Sequence, residues 1–120
     1  MGARAKLDAE HFRHMTGGDA ALQAEILQLF RAQAELWNRL LIPDAAVSTW
    51  ADAAHMLKGS ARGLGLWALA DACEDAEKIG RSGALESRAI DRALCRVRGE
   101  LADALEALPR FEAANDAGPH

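Results

Sequence analysis

Hydrophobic positions along this chain recur at steps of three and four residues, the spacing that lines one face of an α-helix. Between residues 20 and 40, Leu22, Ile26, Leu29, Phe30, Leu36, Trp37 and Leu40 keep that period, interrupted only by Gln33. Asp19 stands at the N-cap of this helix, and Leu41-Ile42-Pro43 closes it. Val47, Trp50, Ala54, Leu57, Ala61 and Leu64 form a second stripe, in a helix that begins near Asp44. Gly63 and Gly65 are its natural stops. A further helix points Leu66, Leu69, Ala70, Cys73, Ala76 and Ile79 inward and ends at Gly80-Arg81-Ser82-Gly83. The last carries Leu85, Ile90, Leu94, Val97, Leu101, Leu105 and Leu108, and is expected to stop at Pro109. A short helix over residues 7–15, closed by Thr16-Gly17-Gly18, precedes them all, and residues 109–120 read as a flexible tail.

Short loops between long amphipathic helices favour antiparallel neighbours. The expected fold is therefore all-α, an antiparallel up-down four-helix bundle with a short extra N-terminal helix, in a single domain over 1–120. Composition agrees. Ala occurs 27 times, whereas Val, Ile and Thr together occur eight times, which favours helix over strand. With 14 basic and 18 acidic side chains the formal charge is −4, which argues against a nucleic-acid binder, whose phosphate contacts need a clustered basic face. No run approaches the ~20 apolar residues that cross a bilayer. Met1 to Lys6 has no apolar stretch, so it does not read as a signal peptide, and Lys6 breaks the myristoylation pattern. Cys73 and Cys95 are too few for a zinc or disulfide framework, and both are placed on core faces. A cytoplasmic location follows from these readings. A monomer is expected because no unpaired heptad seam stands out.

Chemistry is sought among the four histidines. His120 falls in the tail. His11 and His14 share a face of the first helix, but two ligands do not make a metal site, and no metal is expected. His55 is different. At ~100° per residue it lies roughly 135° from the centre of the Val47–Leu64 stripe, so its ring points to solvent. Lys58 and Arg62 flank it on that side, and Gly59, one turn along, is a costly residue for mid-helix. A neutral imidazole is a nucleophile near pH 7, a nearby lysine offsets phosphoryl charge, and a missing side chain lets another protein approach. Together these residues suit a phosphorylated histidine.

Ala54-His55-Met56-Leu57-Lys58-Gly59-Ser60-Ala61-Arg62-Gly63-Leu64-Gly65 resembles the signature of histidine-containing phosphotransfer (HPt) domains, A-H-x-L-K-G-S-[AS]-x-x-[ILV]-G, at every fixed position. Thr16-Gly17-Gly18-Asp19 with Leu22 to Phe30, and Leu69-Ala70 with Cys73 and Glu74 to Glu77, resemble the family's flanking helices, for coverage of about residues 8–108. The resemblance implies that His55 accepts phosphate through Nε2, that Lys58 stabilises it and that Gly59 admits the partner; Ser60 offers a hydroxyl at the edge of the site, a weaker contribution because of its azimuth on the helix. It also implies docking of receiver domains around Phe12, Met15, Met56 and Arg62. The donor and acceptor would be receivers of a hybrid histidine kinase and of a response regulator, holding the Mg²⁺ and the aspartate themselves. The chain would be a phosphocarrier, not an enzyme, with no cofactor of its own; it has no phosphate loop for ATP.

Two other readings compete with this one. A histidine-kinase dimerisation segment wants an acidic residue after the histidine and a downstream proline, but Met56 follows His55 and no proline lies between Pro43 and Pro109. It also wants an ATP-binding domain, which the chain lacks. A non-catalytic helical adaptor would leave His55 incidental. The acidic run Asp71, Glu74, Asp75 and Glu77 reads as a solvated face.

Overall fold

The computed structural model describes residues 7–83 and 86–116, the last eight by their backbone alone. The expected core position Leu85, the histidine His120 and the readings of Met1 to Lys6 lie outside the described residues. Among those described, all regular structure is helical: α1 (Ala9–Met15), α2 (Ala20–Leu40), α3 (Val47–Leu64), α4 (Trp67–Ser82) and α5 (Ser87–Asp116). The helices form the expected bundle. α3 packs on α4, α4 on α5, α2 closes the ring against α3 and α5, and α1 lies on α3.

Local chemistry sets the element ends. Asp8 and Asp19 accept bonds from the His11 and Leu22 amides, capping α1 and α2. α3 ends at Gly65, whose φ of 78° lets the Leu66 amide return to the Ala61 carbonyl at 2.8 Å. The same glycine seats α1. The Asp8 amide donates to the Gly65 carbonyl at 3.1 Å, and a Cβ on Gly65 would lie 2.6 Å from the Asp8 Cβ. Trp67 Nε1 donates to Asp8 Oδ2 at 3.0 Å, and His11 Nε2 meets the Arg62 carbonyl at 3.1 Å. α1 is thus pinned to the α3–α4 corner.

The core is centred on Trp50, Leu57, Leu69, Leu94, Leu101 and Phe12, all essentially inaccessible. The expected stripe on α3 is wholly buried apart from the half-buried Val47. α2 departs from expectation. Its buried face is Gln23, Leu27, Phe30, Ala34 and Trp37, whereas Leu22, Leu29 and Leu36 are exposed. Gln23 is tolerated inside because its Nε2 donates to Thr16 Oγ1 at 2.8 Å. Cys95 is also exposed, since the neighbouring Leu94 points into the core and one residue turns the helix by about 100°.

One punctuation mark holds and one does not. α4 ends inside the expected Gly80-Arg81-Ser82-Gly83 stretch, at Ser82 with Gly83 as its left-handed cap, so Gly80 itself stays within the helix. A Cβ there would sit 2.9 Å from the Trp50 ring, so this glycine lets α4 lie close against α3. Pro109 does not end α5, which runs on to Asp116. A proline removes one intrahelical bond, at a cost of about 3 kcal/mol, but Arg110, Glu112, Ala113 and Ala114 beyond it favour helix. The expected boundary at 109 is therefore replaced by a longer helix.

Candidate functional site

His55 sits halfway along α3 with its side chain 60 % exposed. Its Nδ1 lies 2.9 Å from Glu77 Oε2 on α4. An ionised carboxylate can only accept, so Nδ1 carries the proton and donates. In the neutral ring the lone pair is then on Nε2, which has no partner among the described residues.

Glu77 is the hinge of the cluster. Its other oxygen, Oε1, accepts from Lys58 Nζ at 2.8 Å, and both side chains are largely covered. Arg81 Nε lies 3.5 Å from Oε2, while its Nη2 donates to Asp52 Oδ1 at 3.0 Å. The Lys58 hydrogen bond, aided by the charges of Lys58 and His55, holds the Glu77 carboxyl below its ordinary value although burial pushes the other way. Asp52 and Glu77 in turn hold the Arg81 guanidinium above its own. Lys58 and Arg81 thus balance two carboxylates beside a ring whose free nitrogen faces outward.

The antiparallel α3–α4 pair explains these contacts. Residues at near-mirror positions about Leu66–Trp67 meet, so Asp52 faces Arg81, His55 and Lys58 face Glu77, and Arg62 faces Glu74. The contact of Gly80 with the Trp50 ring sets how near the two helices come. Glu77 and Arg81 were not singled out from the sequence, and the acidic run is no plain solvated face, because Glu74, Asp75 and Glu77 each hold a cation. Mirror pairing about the Gly65 turn is the signal that could have found them.

The remaining expected residues fall on two sides of His55. Lys58 lies toward α4, and so does Arg62, which is paired with Glu74 at 3.1 Å. Met56 is 61 % exposed, Gly59 is exposed, and a Cβ on Gly59 would meet nothing within 4 Å. Ser60 lines a groove with Met15, Leu29 and Gly63, away from the imidazole. Phe12, expected as a docking side chain, is instead core at 1 % exposure and forms the groove floor, because α1 is too short to bury anything else. Met15 is 60 % exposed at the rim.

Other nucleophiles and ligand sets are not assembled. Burial pushes the Cys73 thiol up to about 12, which keeps it protonated. Among the described residues no group of three or more His, Cys, Asp or Glu is placed to hold a metal ion, and no helix is long and apolar enough to cross a membrane.

Three comparisons with known proteins bear on this site. A family model described as the Hpt domain matches residues 21–111. No curated protein matches the chain. Among solved structures, the histidine phosphotransferase ShpA from Caulobacter crescentus is 30 % identical, with a TM-score of 0.62, over 93 % of this chain and 98 % of that one.

Proposed function

The chain belongs to the Hpt domain family and is a phosphotransfer protein of a phosphorelay; from that premise we propose that His55 is its phosphoacceptor. The observation that carries this is the outward Nε2 of a ring whose Nδ1 is tied to Glu77. In the proposed step the Nε2 lone pair attacks the phosphorus of an aspartyl phosphate on a receiver domain. The N–P bond forms as the P–O bond to the aspartyl carboxylate breaks, and that carboxylate departs with the electron pair. The ring becomes cationic, with its Nδ1 proton against Glu77, so the carboxylate stabilises the product. Lys58, one turn along α3 and bonded to the same carboxylate, supplies the positive charge that offsets the phosphoryl group, and return to a second receiver reverses the same steps.

Positioning and charge neutralisation govern such transfers, and a carrier supplies only a nucleophile and cations. We assign Mg²⁺ and the acceptor aspartate to the receivers, those of a hybrid kinase and of a response regulator, and place the chain in the cytoplasm as a carrier and not an enzyme. The receiver docks over Met56, Gly59 and Arg62 and into the groove bearing Met15 and Ser60, with the open space at Gly59 admitting its active site. No observation favours a kinase dimerisation segment or an inert adaptor. A radiolabelled phosphorylated receiver tests the assignment. Acid-labile, base-stable label is expected on the wild type and none on His55→Gln; equal label on both would place the acceptor elsewhere.

A further inference from the structure

α2 presents two apolar seams rather than one. The first, centred on Leu27, Phe30, Ala34 and Trp37, is buried in the bundle. The second is Leu22, Ile26, Leu29, Gln33, Leu36 and Leu40, spaced four-three-four-three-four. That is the a/d repeat of a coiled coil with one polar position, Gln33, a device that fixes register. At about 100° per residue the two seams are offset by a quarter turn of the helix or slightly more, so the bundle buries the first and leaves the second open apart from Ile26 and Leu40, which are half-buried against the core. Leu22, Leu29 and Leu36 are 40 %, 58 % and 52 % exposed. The expectation of a monomer rested on there being no such seam.

We infer that this second seam is the contact face of a symmetric dimer, packed antiparallel on α2 of a second copy of the chain. The charges flanking it are self-complementary. On the side away from the bundle stand Glu25 and Arg39, each seven residues from Ala32, all three exposed, with neither charge paired among the described residues. With the two-fold axis beside Ala32, antiparallel packing brings Leu22 to the second copy's Leu40, Ile26 to its Leu36 and Leu29 to its Gln33. The same register sets Glu25 against the second copy's Arg39, twice by symmetry, and the small Ala32 lets the helices approach at the axis. A parallel pair would instead set like charges level with one another. An unrelated partner has no reason to match this self-complementary order. Ile26, Leu29 and Gln33 also line the groove that bears Met15 and Ser60, so dimerisation and receiver docking draw on the same side chains.

The inference does not depend on the phosphoacceptor assignment, and its test reads mass rather than transfer. Sedimentation equilibrium of the full chain over a wide concentration series is expected to show a monomer–dimer equilibrium. Glu25→Arg and Arg39→Glu each turn both symmetric pairs repulsive and should each raise the dissociation constant about tenfold. An equimolar mixture of the two variants should recover association, because each then meets its complement. Both sites are exposed, and unchanged circular dichroism would show that folding is intact. Monomer at every concentration overturns the proposal, as does a dimer indifferent to both variants or a mixture that fails to recover. Variants that weaken receiver binding where the wild type is monomeric would give the seam to the receiver instead.

Discussion

His55 and His11 are the same residue in two settings, and the contrast shows what makes an imidazole available. His11 spends Nε2 on the Arg62 carbonyl at 3.1 Å and tilts against Trp67 with ring centroids 4.9 Å apart. Asp8, which accepts from the His11 amide at 3.0 Å, is an anion that would repel a phosphoryl group there. His55 spends Nδ1 instead, leaving the less hindered Nε2 outward, and two cations balance the carboxylates around it. The difference lies in which nitrogen the fold consumes and in the sign of the neighbours. Exposure alone does not decide it, since His14 is exposed as well but has no such neighbours.

The contrast is broken most completely at the nucleophile. His55→Gln should abolish acid-labile phosphorylation from a labelled receiver, whereas His11→Gln and His14→Gln should keep it. Loss in either of the last two with the fold intact would mean that the wrong nitrogen has been chosen. Next in size is the residue that sets the His55 tautomer. Glu77→Ala removes a charge-assisted hydrogen bond, so transfer should slow by about tenfold to a hundredfold. A rate unchanged from wild type would show that Glu77 serves only the helix pair.

Glu77 also gives the site a pH signature. Its folded-state carboxyl titrates below the ordinary value of 4.5, chiefly through the Lys58 bond. The pair therefore stabilises the fold fully above that ordinary value, and the contribution drains away as pH falls through the lower folded value. The melting temperature of wild type relative to Glu77→Gln should be highest near neutrality and should converge on the variant's in acid. A constant difference from pH 7 to pH 3 would contradict the assignment.

How much of this was legible in the sequence depends on how many elements a residue needs to acquire its role. α3 is legible because its large apolar residues, the exposed Met56 apart, lie on one face, so the outward aim of His55 follows from period alone. α2 was misread because it carries two adjacent seams, and choosing the larger side chains favours Leu29 and Leu36 over Gln23 and Ala34. Its neighbours α3 and α5, not its own pattern, decide which seam is covered. Glu77 was passed over for a related reason: its role exists only in the register between two helices. Within the Gly80-Arg81-Ser82-Gly83 stretch that ends α4, the glycine that accommodates Trp50 looks the same in sequence as the one that caps the helix.

A smaller perturbation addresses the His11 side through the backbone. Gly65→Ala places a side chain at φ 78° and within 2.6 Å of Asp8, so α1 must shift. The left-handed conformation alone costs about 1–2 kcal/mol, and the melting temperature should fall accordingly. The α3–α4 contacts of His55 do not pass through α1, so the Nδ1–Glu77 bond, followed by the ring proton resonance, should survive. Joint loss of both would mean that α1 supports the site from a distance.

The smallest effect is expected from His11 itself. Its replacement by glutamine removes the ring contact with Trp67 while leaving a donor for the Arg62 carbonyl, and a partly exposed bond of this kind contributes about 1 kcal/mol or less. Hydrogen exchange should quicken at the Phe12 and Thr16 amides, which hold α1 closed, and remain unchanged at the centre of α3. Phosphotransfer should match wild type, because His11 meets Arg62 at its backbone carbonyl and leaves the guanidinium on Glu74. If transfer slowed while α3 exchange stayed constant, α1 would have to act as a docking element whose pose His11 maintains. Met15, at the exposed end of α1, would then be the side chain to substitute next, since it reaches the groove without contributing to the core.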